Sequence, residues 1–308
     1  MAVGTRLRHV LESQQFSRQL LDELFERADD MRADPHRAAG RLQGRVMAAL
    51  FYEPSTRTRL SFESAMLRLG GRTMGTDNAR EFSSAAKGET LEDTIRIVAG
   101  YADVIVLRHH DEGAARRAAA VSDVPVINAG DGKGQHPTQS LLDLYTIKDE
   151  LGRIDGVRVA MAGDLFNGRT ARSLAYLLSK YRDVELWFVA PPQVAMRDDI
   201  KQHLDEHGVR WHETEDLDAV LPQVDVVYQT RIQKERFDDE ASYRAVKGIY
   251  VIDTASMARL RPEAIVMHPL PRLDEIDPAV DSDRRAAYFR QARNGVQVRM
   301  ALLDAVLA

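Results

Sequence analysis

Three hydroxyl side chains and two arginines stand in one row in the stretch EPSTRTR, residues 53–59. An apolar, strand-like run precedes this row, and an amphipathic helical pattern follows it. Backbone N–H groups at the start of a helix attract anions, and hydroxyl and guanidinium donors would strengthen that attraction. Helix capping is the alternative, although a cap needs only one hydroxyl. The residues predicted to bind a phosphate group are Ser55, Thr56, Arg57 and Thr58.

Further polar groups follow other apolar runs of the first half. Arg108 ends the run VIVLR, and His136 and Gln139 stand where NAGDGKGQHPTQS leads into a helical pattern. Taken singly, the arginine fits a surface charge and the histidine fits a helix cap. Because several neighbouring strand ends carry such groups, we interpret them together as one site.

The second half repeats this arrangement. The cations and amides that follow the run VDVVYQT are Arg231, Gln233, Lys234 and Arg236. In HPLP, the prolines on either side of Leu270 predict an extended backbone with outward carbonyls, which suits accepting hydrogen bonds from an NH₂ group. A rigid connector is the alternative for this segment.

Two other segments carry competing interpretations. GDLFNGRT, residues 163–170, differs from a Walker A phosphate loop by having Arg169 where that motif requires lysine. A carboxylate grip by Arg169 is the alternative, because lysine and arginine are not interchangeable there. Residues 75–90 form a long polar connection that carries Lys87, and either a functional loop or a flexible one fits it.

The composition is that of an ordinary globular protein, with 44% hydrophobic and 29% charged residues among 308. The net charge of −5 argues against bulk attraction to nucleic acid or to an anionic membrane. Cysteine is absent, which excludes disulfides, thiolate metal sites and a cysteine nucleophile. The N-terminal segment is charged and has no apolar core of a signal peptide, so we predict a cytoplasmic location.

Strand and helix patterns alternate in two runs that meet near residues 136–151. Continuous apolar strands between helices predict parallel sheets covered on both faces. The predicted strands are 44–52, 103–110, 124–132, 157–165, 184–191, 224–231, 249–255 and 264–271. The fold class is therefore α/β, with two doubly wound domains, each a mainly parallel sheet covered by helices. Because ligands of such sheets bind beyond the carboxyl ends of strands, we expect the active site in a cleft between the domains.

The motifs together resemble the transcarbamylase family, from about residue 44 to the C-terminus. STRTR and HPTQSLLDLYTI are similar to the two carbamoyl-phosphate signatures of that family. HPLPR (268–272), TRIQKER (230–236) and KGETLEDT (87–94) resemble the members that act on L-aspartate. The ornithine enzymes carry a cysteine at the position of Pro269.

The resemblance implies transfer of the carbamoyl group of carbamoyl phosphate to the α-amine of L-aspartate. The products would be N-carbamoyl-L-aspartate and phosphate, in an early step of de novo pyrimidine biosynthesis. Another acceptor such as ornithine is one alternative, and a P-loop-like nucleotide-binding protein is the other. The resemblance also implies a homotrimer without metal or other cofactor. Regulatory chains or another enzyme of the pathway remain open as partners, whereas nucleic acid and membrane are not expected.

The resemblance further implies a carbamoyl-phosphate-binding domain over 1–136, completed by a C-terminal helix over 288–308, and an aspartate-binding domain over 137–287. The phosphate ligands would be Ser55, Thr56, Arg57 and Thr58. The groups that polarise the carbonyl oxygen would be Thr58, Arg108 and His136. The groups that fix the carbamoyl NH₂ would be Gln139 and the carbonyls of Pro269 and Leu270.

The remaining implied roles concern aspartate and the assembly. The aspartate ligands would be Arg169, Arg231, Gln233 and Lys87. Ser83 and Lys87 would come from a neighbouring subunit, with Ser84 as the adjacent alternative to Ser83. Glu53 would bridge to Arg169 and Arg236 when the domains close.

Overall fold

The structure is a computed structural model that describes residues 7–76, 88–232, 246 and 248–307. It divides the chain into two compact units. Unit 1 comprises Met1–Leu141 with Arg293–Ala308, and unit 2 comprises Leu142–Ala292. These divisions lie a few residues C-terminal of the predicted boundaries at 136/137 and 287/288. The predicted site residues outside the described ranges are Ser83, Lys87, Gln233, Lys234 and Arg236.

Unit 1 is built on a four-stranded parallel sheet. Its strands are β1 (Val46–Phe51), β2 (Arg72–Thr76), β3 (Val104–His109) and β4 (Val126–Asp131). Their order in the sheet is β2-β1-β3-β4. The described α-helices that lie entirely within unit 1 are α1 (Arg18–Ala33), α2 (Pro35–Ala38), α3 (Thr56–Arg68), α4 (Leu91–Ala99) and α5 (Ala114–Val121). The side chains of β1, β3 and β4 are almost all buried, as expected for strands covered on both faces.

Unit 2 is built on a five-stranded parallel sheet. Its strands are β5 (Arg158–Ala162), β6 (Glu185–Val189), β7 (Arg210–Thr214), β8 (Val226–Gln229) and β9 (Ile265–Met267), in the order β7-β6-β5-β8-β9. The further α-helices within the described ranges are α6 (Pro137–Leu151), α7 (Arg169–Leu178), α8 (Asp198–Glu206), α9 (Leu217–Val220), α10 (Thr254–Arg259) and α11 (Tyr288–Leu307). Helices α6 and α11 contribute residues to both units. No helix in the described ranges is both long and apolar enough to cross a membrane.

The predicted α/β class with two parallel sheets is confirmed, and three details differ. Strands β2 and β7 escaped prediction because they are edge strands with mostly exposed side chains, so they lack an apolar run. The predicted strand 249–255 does not form. Ile252 makes a single bridge to Ile276, and Asp253 then ends the extended segment by capping α10.

A buried carboxylate ties both ends of the chain together within unit 1. Asp304 on α11 accepts two hydrogen bonds from the guanidinium of Arg41, both at 2.8 Å. Arg27 on α1 lies 2.5 Å from the same carboxylate. The Asp304 side chain is 3% exposed, whereas Arg27 and Arg41 are 36% and 43% exposed. The hydrogen bond that Arg41 donates to Asp304, and the charge of that carboxylate, raise the pKa of Arg41 above its usual value.

We therefore expect Asp304→Ala to lower the free energy of unfolding by about 2–3 kcal/mol. This is less than the about 3–5 kcal/mol typical of a fully buried pair, because both arginines reach solvent. The urea denaturation midpoint measures the change. The matched control is Asp29→Ala, which removes an exposed partner of Arg32 on α1 and should cost at most about 0.5 kcal/mol. Equal shifts for the two variants would contradict the prediction.

Candidate active site

The first turn of α3 offers donors that the helix itself does not use. Ser55 occupies the N-cap position, yet its side chain makes no capping hydrogen bond. The first bond of the helix runs from the N–H of Arg59 to the carbonyl of Ser55, at 3.2 Å. The backbone N–H groups of residues 56–58 precede that bond and are left for another acceptor. Capping therefore does not account for the row of hydroxyl residues.

The side chains of the same turn add to these donors. Among the residues that the structure describes, the hydroxyls of Ser55, Thr56 and Thr58 have no hydrogen-bond partner. Thr58 is buried, and Arg57 is exposed as a whole residue. Protein atoms partly desolvate the Arg57 guanidinium, which lowers its pKa from the usual value. An anion placed at this turn would meet hydroxyl, amide and guanidinium donors at once.

Arg108 stands beside this turn because β1 and β3 are neighbours. Phe51 and Arg108 are paired in the sheet, and the N–H of Tyr52 donates to the carbonyl of Arg108 at 2.9 Å. The Arg108 guanidinium donates to the carbonyl of Ala129 at 3.2 Å and lies 3.4 Å from the carboxylate of Glu53. These contacts orient a mostly buried cation at the carboxyl edge of the sheet. The predicted bridge from Glu53 to Arg169 and Arg236 stays a prediction, because Arg236 lies outside the described residues.

His136 is fixed at the start of α6. Its carbonyl accepts hydrogen bonds from the N–H groups of Gln139 and Ser140, at 3.0 and 3.2 Å. Its ring is buried, and its Nδ1 lies 3.4 Å from the hydroxyl of Thr138. These bonds fix the backbone of His136 at the start of α6, and the role of its imidazole stays a prediction. Gln139 is half-buried in the same first turn.

Asp131 organises the loop that carries His136, and the sequence arguments missed it. One oxygen of its carboxylate accepts the N–H of Gln135 at 2.9 Å and the side-chain amide of Asn128 at 3.1 Å. The other oxygen accepts the N–H of Gly113 at 3.0 Å. The spacing of Asp131 before a glycine-rich stretch is the signal that could have found it, because aspartate commonly closes such turns.

His109 was also missed, although it follows Arg108 directly. Burial is the main cause that lowers its pKa to about 4, and the neighbouring imidazole of His110 acts in the same direction. His109 is therefore neutral at pH 7, and its Nδ1 accepts the N–H of Asp111 at 3.0 Å. His109, His110 and Asp111 are the one close group of potential metal ligands in the described part of the chain. The two imidazoles stack at 4.2 Å and 21°, so their lone pairs lie in nearly parallel planes and do not converge on one ion.

The Walker-like segment of unit 2 cannot cradle a phosphate with its backbone. The N–H groups of Leu165 and Phe166 both donate to the carbonyl of Val194, at 3.0 Å. The N–H of Asn167 donates to the buried carboxylate of Asp164 at 2.9 Å. A P-loop needs these donors for its ligand. Arg169 begins α7 with its side chain half-buried, which keeps the carboxylate grip as its candidate role.

Two further segments leave the carboxyl edge of the second sheet. After β8, Thr230 anchors the chain to β5, because its N–H and hydroxyl donate to the carbonyl of Ala162 at 2.8 and 2.9 Å. Half-buried Arg231 follows at once. After β9, Leu270 has a φ of 54°, a left-handed conformation that costs about 1–2 kcal/mol for a residue with a side chain. Within the described residues, the carbonyls of Pro269 and Leu270 accept no hydrogen bond.

His268 precedes this segment and is held on both sides of its ring. Its Nδ1 accepts the N–H of Leu270 at 2.8 Å, which places the ring proton on Nε2, 2.8 Å from the carboxylate of Glu275. Burial alone would raise the pKa of Glu275, but the hydrogen bond from His268, together with hydrogen bonds from the backbone N–H groups of Leu273 and Glu275, outweighs it and lowers that pKa. Glu275 is therefore an ionised acceptor at neutral pH.

Comparison with protein families matches both halves of the chain. Residues 8–149 match the carbamoyl-P binding domain of aspartate/ornithine carbamoyltransferase. Residues 155–306 match the Asp/Orn binding domain of the same family.

Two similar relatives come from plants. The rice (Oryza sativa subsp. japonica) "Aspartate carbamoyltransferase, chloroplastic" is 59% identical over 315 residues, which cover 100% of this chain and 87% of the relative. The pea (Pisum sativum) "Aspartate carbamoyltransferase 1, chloroplastic" is 60% identical over 305 residues, which cover 98% of this chain and 79% of the relative.

The predicted cytoplasmic location is wrong by this comparison, because both plant relatives are named as chloroplastic proteins. The sequence argument tested only for the apolar core of a secretory signal. Segments that direct proteins to plastids lack such a core, so its absence does not bear on them.

Solved structures of one relative extend the comparison to the fold. Aspartate transcarbamoylase from Trypanosoma cruzi, in complex with carbamoyl phosphate and aspartate, superposes with a TM-score of 0.93 at 43% identity. The match covers 98% of this chain and 97% of that one. The same enzyme in complex with carbamoyl aspartate and phosphate gives a TM-score of 0.92 at 44% identity, covering 98% and 96%. Together with the matches of both domains, these similarities establish that the chain belongs to the aspartate/ornithine carbamoyltransferase family.

Proposed function

We propose that this protein transfers the carbamoyl group of carbamoyl phosphate to the α-amine of L-aspartate, giving N-carbamoyl-L-aspartate and phosphate. The observation that carries the proposal is the first turn of α3, where unused hydroxyl and amide donors and Arg57 suit a phosphate group. Relatives of 59% and 60% identity that carry this enzyme's name support the choice of reaction. So does the relative that binds both substrates, and both products, of this reaction.

The chemistry requires no nucleophile from the protein. The amine of aspartate attacks the carbamoyl carbon, a tetrahedral oxyanion forms, and its collapse expels phosphate, which can take up the amine proton. Thr58, Arg108 and His136 are proposed to stabilise the oxyanion. Gln139 and the carbonyls of Pro269 and Leu270 are proposed to orient the NH₂ group. Most of the catalysis would then come from orientation and from charge stabilisation.

Residue charge favours aspartate over ornithine as the acceptor. The side chain of aspartate adds a second carboxylate, whereas that of ornithine is cationic. The groups proposed to bind the aspartate carboxylates are Arg169, Arg231 and Gln233, together with Lys87. Arginines would repel the cationic side chain of ornithine, and their planar donors pair well with carboxylates.

We also propose, from the family resemblance, that the active assembly is a homotrimer. Ser83 and Lys87 would then reach the site of a neighbouring subunit, and Glu53 would pair with Arg169 and Arg236. A role in pyrimidine biosynthesis follows from the proposed product.

A carbamoyl-transfer assay on the purified chain tests the proposed function directly. Aspartate and ornithine are compared at equal concentrations with carbamoyl phosphate as donor, and the oligomer mass is measured in parallel. We expect carbamoyl aspartate as product and little reaction with ornithine. Transfer to ornithine in preference to aspartate would overturn the proposal.

Replacement of Arg231 tests the assignment of the aspartate ligands. Arg231→Ala should raise the KM for aspartate at least about 30-fold and change the KM for carbamoyl phosphate much less. Loss of a desolvated, charged hydrogen-bond pair typically costs about 2–5 kcal/mol. The control is Arg210→Ala, which removes an exposed arginine beside Glu185 on the second sheet. Normal aspartate kinetics in Arg231→Ala would show that the assignment is wrong.

Replacement of His136 separates chemistry from binding. His136→Ala should lower kcat by about 10²–10³-fold, the usual effect of removing an oxyanion donor, while phosphate binding changes much less. His212→Ala is the control, because this histidine is exposed on β7 and pairs with Glu185. If kcat stays at the wild-type value, His136 has only the backbone role described above.

Mixing of two inactive variants tests the shared site. Arg57→Ala and Lys87→Ala trimers should each be nearly inactive, because each lacks one of two residues that every site needs. After dissociation and random reassociation of equal amounts, about a quarter of the sites should combine an intact Arg57 with an intact Lys87 from the next subunit of the ring. Activity should therefore recover towards about a quarter of the wild-type value. No recovery, with hybrid trimers confirmed by native mass spectrometry, would refute the shared site.

A further inference from the structure

The HPLP segment is held in its conformation by a hydrogen bond to the side chain of its own first residue, His268. Leu270 adopts a left-handed backbone conformation, and its N–H is bonded to Nδ1 of His268, two residues earlier, at 2.8 Å. This bond closes a tight turn that contains the carbonyls of Pro269 and Leu270. Because no described residue bonds to these carbonyls, the turn presents two acceptors to a ligand.

The His268 ring can accept this bond in only one of its neutral tautomers. Its Nε2 lies 2.8 Å from Glu275, so the carboxylate holds the proton there and leaves the lone pair of Nδ1 for Leu270. The His268 side chain is 1% exposed and that of Glu275 is 11% exposed. Water therefore has little access to replace either hydrogen bond.

A second set of bonds fixes the backbone at the same residue. The N–H of His268 donates to the side-chain oxygen of Gln291 on α11, at 2.9 Å. The amide nitrogen of Gln291 donates to Asp143 on α6 at 2.6 Å, and the hydroxyl of Tyr228 on β8 donates to the same carboxylate at 2.7 Å. All four residues are buried in unit 2. The base of the turn is thus anchored to two helices and a strand.

We propose that His268 and Glu275, anchored through Gln291, are positioning residues that aim the carbonyls of Pro269 and Leu270 at the NH₂ group of carbamoyl phosphate. The inference rests on the proposed function and goes beyond it, because none of the three residues would touch the substrate. Carbonyl acceptors bind N–H donors, so the HPLP turn would distinguish a carbamoyl group from an acyl group of the same shape. Its role is therefore in specificity for the donor substrate.

Two phosphate compounds separate this role from a merely structural one. Carbamoyl phosphate and acetyl phosphate share the phosphate and the carbonyl, but a methyl group replaces the NH₂ in acetyl phosphate. A general collapse of unit 2 would weaken the binding of both compounds equally. A misaimed turn would weaken the binding of carbamoyl phosphate alone, because only that compound donates to the two carbonyls.

The experiment measures the dissociation constants of both compounds by calorimetry on the full chain. His268→Leu removes the acceptor for Leu270, whereas His268→Asn keeps an acceptor oxygen near the position of Nδ1. Glu275→Leu frees the ring proton without changing the ring. Glu150→Leu is the control, because it removes a similarly buried carboxylate that pairs with Arg290 elsewhere in unit 2.

We expect His268→Leu and Glu275→Leu to weaken carbamoyl phosphate binding about tenfold, the factor for loss of a well-placed hydrogen bond. Acetyl phosphate binding should change less than about twofold, and His268→Asn should restore most of the loss. Two results would overturn the inference: equal losses of binding for both compounds, or unchanged carbamoyl phosphate binding in both leucine variants. Neither result would affect the proposed function, provided that the wild type still transfers carbamoyl groups to aspartate. A wild type that binds neither compound would overturn the proposed function as well. If His268→Leu does not fold, Glu275→Leu alone decides between these results.

Discussion

A phosphate group gives up strong hydration when it enters a protein, so the donors that replace water have to be in place beforehand. The first turn of α3 meets this condition, because a helix cannot satisfy its own first amides. The turn follows β1 directly, and the neighbouring strand β3 ends in Arg108. The parallel sheet thus delivers amide, hydroxyl and guanidinium donors to one edge. The net charge of −5 makes this local collection of donors necessary, since the protein as a whole repels anions.

Internal carboxylates do much of the positioning in both units. Asp131 closes the loop before His136. Asp164 accepts a hydrogen bond from the backbone N–H of Asn167, a donor that a bound phosphate would otherwise need. Asp304 gathers Arg27 and Arg41 onto the C-terminal helix. Each of these carboxylates is buried, and each is stabilised by several donors rather than by one. A segment that carries such a carboxylate is ordered without a ligand, whereas a segment with unused donors is ready to bind one.

This distinction separates the two phosphate-loop candidates of the sequence. STRTR and GDLFNGRT both stand between a strand and a helix, and both contain arginine and hydroxyl residues. In the first, the hydroxyls and the amides of residues 56–58 have no described partner, and in the second, the amides of residues 165–167 are bonded to Val194 and Asp164. The HPLP segment combines the two conditions, because the N–H of Leu270 is bonded to His268, while the carbonyls of Pro269 and Leu270 accept no hydrogen bond from a described residue. The candidate binding surfaces of this protein are therefore the places where the fold leaves backbone donors or acceptors without an internal hydrogen-bond partner.

The amino-acid sequence by itself determined the fold class, the central strands and the family. Buried strands are apolar runs and amphipathic helices have a clear period, so both appear in local composition. The edge strands β2 and β7 could not be predicted in this way, because most of their side chains are exposed to solvent and they therefore need no apolar run. Long motifs such as STRTR and HPTQS revealed the family because their residue types are tied to one chemistry.

Only the tertiary structure decided which polar groups are occupied. Nothing in the local sequence shows that Asp164 caps its own loop, that His109 is buried and neutral, or that Glu275 sets the tautomer of His268. Gln291 lies 23 residues from the His268 backbone that it holds, and Asp143 lies 148 residues from Gln291. Hydrogen bonds depend on distances of about 3 Å between atoms, and packing of distant elements sets those distances. Residue types therefore name the candidates for a site, and the fold selects among them by satisfying some of their hydrogen bonds and leaving others open.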